Sequence, residues 1–142
     1  MAEQEQQMDA QEQEQIVKIA LDYFKKETGS DEKAQEMLGK LATIVTEEGA
    51  KLVHLGNVLF LIMVRGKGVV EIHTIGTEAQ PRQLADDFKK LADYLTKIGV
   101  KTAYTYTPDN RYGRLAQMTG LPVKTFKIEV KGKPMTAYVM EF

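Results

Sequence analysis

Apolar residues recur along this chain first at helical and then at strand spacing. Ile16, Ile19, Ala20, Tyr23 and Phe24 fall three or four apart between Gln11 and Lys26, which predicts a helix with one face on a core. Thr28-Gly29-Ser30 reads as a stop and restart. Ser30 can cap the next helix, and Lys33 in place of Glu or Gln leaves the full capping box absent. Ala34, Met37, Leu38, Leu41 and Val45 form a second stripe that ends near Gly49. From there the pattern changes. Lys51 to Leu55 is short and strand-like, Gly56-Asn57 permits a turn, and the almost wholly apolar Val58 to Val64 predicts a strand shielded on both faces. Arg65-Gly66-Lys67-Gly68 reads as a hairpin connection into the strand Val69 to Ile75. It is basic enough to suggest a phosphate loop, but no helix N-terminus follows it.

The second half alternates helix and strand. A helix is predicted to open at Pro81 or Arg82, where proline fits the first turn. Leu84, Phe88, Leu91, Leu95 and Ile98 are then spaced to cover a sheet, and Gly99 ends the run. Lys101 to Thr107 places Ala103, Thr105 and Thr107 on one face and Thr102, Tyr104 and Tyr106 on the other. A short helix is expected from Asp109 to Gly120, stopped before Pro122. Gly132-Lys133 then turns the strand Lys124 to Val130 back into Met135 to Phe142. No boundary looks like a linker. The expected organisation is an acidic Gln/Glu-rich arm over residues 1–15 and a single domain over 16–142.

Composition narrows the chemistry more than it identifies it. The chain has 142 residues, no cysteine, 19 basic and 20 acidic residues. Disulfides, thiolate catalysis and cysteine-bound zinc are therefore excluded. The balanced charge offers no global attraction to nucleic acid or anionic membrane. No apolar run approaches the roughly 18–20 residues of a membrane span, and the first residues do not read as a secretory signal. His54 and His73 lack a regular carboxylate-ligand motif, so no metal site is expected. Glu71 and His73 alternate onto one face of their strand and are the candidates for a proton-accepting base. An ion pair for Glu71 and a surface or hydrogen-bonded role for His73 is the plainer reading. Tyr104, Tyr106, Arg111, Tyr112 and Arg114 form an aromatic-basic concentration that could stack on nucleic acid, but strand tyrosines more often pack at a sheet boundary.

From Val69 to Phe142 the chain resembles the acetyl-CoA-dependent N-acetyltransferase (GNAT) family, including small divergent members from tailed phages. The family's cofactor loop, Gln or Arg, two variable residues, Gly, one variable residue, then Gly or Ala, corresponds here to Gln80-Pro81-Arg82-Gln83-Leu84-Ala85. Gln83 stands at the central glycine and Pro81 lacks an N–H, so two features of a backbone diphosphate cradle are altered. Arg82 supplies a compensating positive charge. The family's later signature corresponds to Asp109-Asn110 and Leu115 to Leu121. Its tyrosine acid falls on Ala116 or Gln117, neither able to protonate a leaving thiolate, and Tyr112 lies one helical turn earlier as a substitute.

The resemblance implies an α/β fold with a mixed, mostly antiparallel central sheet flanked by helices, with two further helices at the N-terminus. Gln80, Arg82, Gln83, Leu84 and Ala85 would mark a cofactor site, and Glu71, His73 and Tyr112 a catalytic one. The altered loop favours a noncatalytic phage protein without a cofactor, acting with a protein partner in virion association, in the virion or host cytoplasm; an oligomer is possible. The alternative is an acetyl-CoA-dependent N-acetyltransferase acting on an amine. A nucleic-acid-binding role comes third.

Overall fold

The computed structural model describes residues 10–56, 58–76, 81–108 and 119–142. The helices are α1 (Ala10–Thr28), α2 (Asp31–Glu47) and α3 (Pro81–Lys97). The strands are β1 (Lys51–Leu55), β2 (Val58–Gly66), β3 (Val69–Ile75), β4 (Thr102–Thr107), β5 (Val123–Val130) and β6 (Lys133–Glu141). The strands form one six-stranded sheet in the order β1-β2-β3-β4-β6-β5. By contact density the chain divides into two compact units. One holds α1, α2, β1, the start of β2 through Phe60 and the end of β3 from Thr74. The other holds Leu61–His73 and Ala79–Phe142.

In the first unit the predicted helical stripes bury Ile16, Ala20 and Phe24 of α1 and Ala34 and Leu41 of α2. Ser30 caps α2 as expected, its hydroxyl accepting from the Lys33 N–H at 3.3 Å. The hydrophobic run of β2 is buried from Val58 to Ile62, but Met63 is half-buried and Val64 is exposed. The expected two-sided shielding therefore holds for the first five residues only.

The second unit carries a parallel pair. β3 and β4 run side by side from Val69↔Thr102 through Val70↔Ala103 to Glu71↔Tyr104. Parallel neighbours need a long crossover, which α3 supplies. Ala85, Leu91, Ala92 and Leu95 of that helix are buried, as are Val70, Ile72, Val100 and Ala103 of this unit. Ile98, expected to continue the stripe, lies past the helix end and is exposed.

Two turns set the strand starts. β2 extends through Arg65 and Gly66, so the link to β3 is only Lys67-Gly68. Gly68 has φ +73, and its carbonyl accepts from the N–H groups of Lys101 and Thr102 at 2.7 and 3.0 Å, fastening the start of β4. The β5–β6 turn is Lys131-Gly132, both at positive φ, one residue earlier than the sequence pattern suggested. β6 pairs antiparallel with β4 along Thr102–Thr107 and with β5 along Val123–Val130.

Candidate active site

The register of the parallel pair puts Tyr104 directly beside Glu71, and strand alternation puts His73 and Tyr106 on that same face. Glu71 is 5% exposed. Burying a carboxylate is costly unless donors surround it, and here they do. Arg65 donates from Nε to Glu71 Oε1 at 3.1 Å, and the Tyr104 hydroxyl donates to the same oxygen at 3.1 Å. His73 Nε2 is paired with the other oxygen, Oε2. The ring of His73 meets that of Tyr106 edge-to-face, with centroids 5.9 Å apart. Arg65 also reaches the Met63 sulfur.

The electrostatics follow from this packing. Burial pushes the Glu71 carboxyl up, but the hydrogen bonds from His73 and Arg65 and the Arg65 charge outweigh it and hold the group below its ordinary range. Burial and the adjacent Glu71 carboxylate both push the Tyr104 phenol up, so it stays a donor. The Glu71 hydrogen bond and charge raise Arg65 further. The result is an ionised, fully engaged carboxylate. His73 is different: its side chain is 34% exposed and reaches the surface. With Nε2 paired with Glu71, Nδ1 is the ring nitrogen that the carboxylate does not engage.

The carboxyl ends of β3 and β4 complete the geometry. Their pairing ends at Glu71↔Tyr104, although each strand continues, and no further β3–β4 pair follows among the described residues. Parallel strands that stop pairing present main-chain N–H and C=O groups on facing edges, and ligands of α/β folds gather at such carboxyl ends. The Glu71–His73 pair lies where the ladder ends.

Glu71 and His73 are thus brought together, and for Glu71 the plainer reading is the one observed: it is ion-paired with Arg65, and it also contacts His73. Arg82 and Gln83 are exposed in the first turn of α3, Leu84 is half-buried and Ala85 is buried. Gln80, Tyr112, Arg111 and Arg114 lie outside the described residues, as does most of the predicted helix from Asp109. Arg65 entered the sequence reading only as part of a basic turn weighed as a phosphate loop, not as a partner of Glu71. Tyr104 was noted only for stacking; its alignment with Glu71 depends on the parallel register. His54 lies in the first unit, with Nδ1 4.0 Å from Glu12 Oε1. Among the described residues no group of three or more His, Cys, Asp or Glu side chains could hold a metal ion, and no helix is long and apolar enough to cross a membrane.

No family model matches the sequence, and no curated protein matches it closely enough to indicate a relationship. Solved structures do match. An aminoglycoside 6'-acetyltransferase type Ii shares the fold at a TM-score of 0.60 and 14% identity, over 90% of this chain and 88% of that one. A chimeric spermidine N-acetyltransferase from Vibrio cholerae and hSSAT gives 0.59 and 12%, over 88% and 89%. A Bacillus subtilis acetyltransferase in complex with CoA gives 0.50 and 14%, over 74% and 85%. The chain has a GNAT-like acetyltransferase fold.

These matches correct the expectation of a noncatalytic phage protein acting in virion association. The structures that share the fold are described as acetyltransferases, and no phage relative was found. That expectation weighed the missing loop glycine and tyrosine as signs of a decayed site. The buried Glu71 cluster depends on neither position.

Proposed function

We propose that this protein is an acetyl-CoA-dependent N-acetyltransferase acting on an amine, with His73 as the proton acceptor. The observation that carries this reading is the Glu71–His73 pair at the point where β3 and β4 cease to pair. An amine is protonated near neutral pH and must shed a proton before it can act as a nucleophile. His73 Nδ1 is the acceptor for that proton, directly or through one water. Glu71 fixes the ring and its tautomer, and its charge compensates the imidazolium formed on proton uptake, the division of labour seen in other carboxylate–histidine pairs. Arg65 and Tyr104 keep Glu71 ionised and in place, so they are positioning residues.

The residues that would hold the cofactor lie at the start of α3 and along β3 and β4. When bound, acetyl-CoA supplies an acetyl group activated as a thioester. Arg82 is exposed at the start of α3 and offers a cation to the diphosphate, beside N–H groups at the helix N-terminus. The unpaired edges of β3 and β4 can hydrogen-bond the amides of an extended pantetheine arm. Gln83 is exposed and Ala85 buried, so the first turn does not need a glycine at 83 for its own packing. Two of the fold neighbours act, by their names, on spermidine and on aminoglycosides, and both acceptors are multiply amino-bearing.

Calorimetric titration with acetyl-CoA and CoA, followed by a thiol-release assay over an amine panel that includes those two acceptors, tests the proposal. Arg82→Ala is expected to weaken cofactor binding about tenfold, the loss of one charge-assisted contact. His73→Ala is expected to retain cofactor binding and lose about 10²–10⁴-fold in turnover. No acetyl-CoA binding at roughly 1 mM would sink the reading.

A further inference from the structure

The outer edge of the sheet carries a second feature, independent of the transferase reading. β5 is the last strand in the sheet order, and each residue from Lys124 to Glu129 is exposed. Phe126 and Ile128 are 50% and 38% exposed, on the face opposite Lys127 and Glu129. Lys124 already has a partner in Glu141, at 4.0 Å. An exposed strand of this length is a template for pairing with another chain, and lysines on an edge ordinarily discourage that. Here the charges are arranged so that one particular strand is acceptable.

We propose that β5 pairs antiparallel with β5 of a second copy of this chain, across a two-fold axis at Ile128. The two-residue turn makes Val130↔Lys133 the closing hydrogen-bonded pair of the β5–β6 hairpin. Alternation then aims the main-chain groups of Phe126 and Ile128 at β6 and those of Lys127 and Glu129 outward. Pro134, which has no N–H, stands opposite Glu129 at a position where β5 asks for none. Among the described residues no strand lies beyond β5, so these outward groups are placed to form a new ladder.

A two-fold edge-to-edge pair preserves faces, so residues with outward groups must meet one another. Centred on Lys127, the pairing sets that lysine against itself, a like-charge contact. Centred on Phe126, it sets Ile128 against Lys124 and creates no charge pair. Centred on Ile128, it sets Lys127 against Glu129 twice, each pair exchanging both N–H···O bonds. On the other face Ile128 meets Ile128 and Phe126 meets Val130 twice, an unbroken apolar strip. Charge complementarity thus selects the register as well as the partner: the lysines that deter other strands are matched by the glutamates of an identical one.

Sedimentation velocity of the full-length chain, at loading concentrations up to roughly 1 mM because so small an interface binds weakly, tests this. A reversible dimer is expected. Lys127→Glu and Glu129→Lys each place like charges opposite one another and are expected to abolish it. The double exchange Lys127→Glu with Glu129→Lys restores the opposition and is expected to restore the dimer. Both side chains are exposed, so unchanged circular dichroism confirms that the variants fold. A monomer at every concentration, a dimer indifferent to the single reversals, or open-ended assembly would each overturn the proposal.

Discussion

Glu71 and Asp87 are both carboxylates buried in the same unit, 5% and 4% exposed, and they are treated in opposite ways. Glu71 on β3 is met by Arg65, His73 and Tyr104. Asp87 on α3 has Oδ2 buried with no hydrogen-bond partner among the described residues. Burial raises Asp87 above its ordinary range, with Asp86 adding to the rise and Lys90 opposing it. Burial pushes Glu71 the same way and is overcome by its donors. Burial therefore does not decide by itself which way a carboxylate's pKa moves; the donors delivered to it do. At Glu71 the strand ladder delivers them, and the first consequence is a histidine held by a carboxylate that is ionised at neutral pH.

The comparison breaks most easily at Glu71. Glu71→Ala leaves Arg65, His73 and Tyr104 without their acceptor and is expected to cost about 3 kcal/mol, since breaking a buried pair is expensive while half-exposed Arg65 is partly screened. Urea denaturation at neutral pH measures this, and a loss below about 1 kcal/mol would mean that the cluster is not integral to stability. Because the folded group lies below its ordinary 4.5, its contribution is fully present above that pH. It is lost as pH falls through the lower folded value, so the gap between wild type and variant closes in acid.

Tyr104→Phe sharpens the picture by removing one donor and keeping the ring. The expected cost is about 1 kcal/mol, with Arg65 and His73 still in place. The smallest effect has the opposite sign. Asp87→Asn is expected to stabilise by about 0.5–1 kcal/mol at pH 7, because it removes a buried charge that lacks a full set of donors. A raised folded value means that the native state binds its proton more tightly, so wild-type stability falls as pH rises from the ordinary 3.8 through the folded value. The gain from asparagine is thus absent below that range. Thermal melts across pH 3 to 7 check it, and destabilisation at neutral pH would show that Asp87 has a compensating role.

Much of the fold was legible in the residues themselves. The spacing of Ile16, Ala20 and Phe24, the Ser30 cap and the strand-helix-strand order from Val69 to Thr107 all correspond to elements of the structure. The site was half legible. Glu71 and His73 are two apart on one strand, so alternation alone places them together. Tyr104 is 33 residues away from Glu71, and no local pattern links the two. Arg65 was obscured because Arg65-Gly66 continues β2, where glycine beside a charged residue suggests a turn. The altered cofactor loop was over-weighted as evidence about function, since Gln83 in place of a glycine does not report on the buried Glu71 cluster.

What the sequence determined by itself is therefore local: which segments are helix or strand, where they start and stop, and which side chains share a face. These depend on backbone sterics and periodicity within a few residues. The tertiary structure decided what lies beside what. Parallel register brought Tyr104 to Glu71, the ladder stopped at that same residue, and sheet order left β5 on the edge. Those outcomes depend on contacts between residues far apart in the chain, whose energies exist only once the chain has closed on itself.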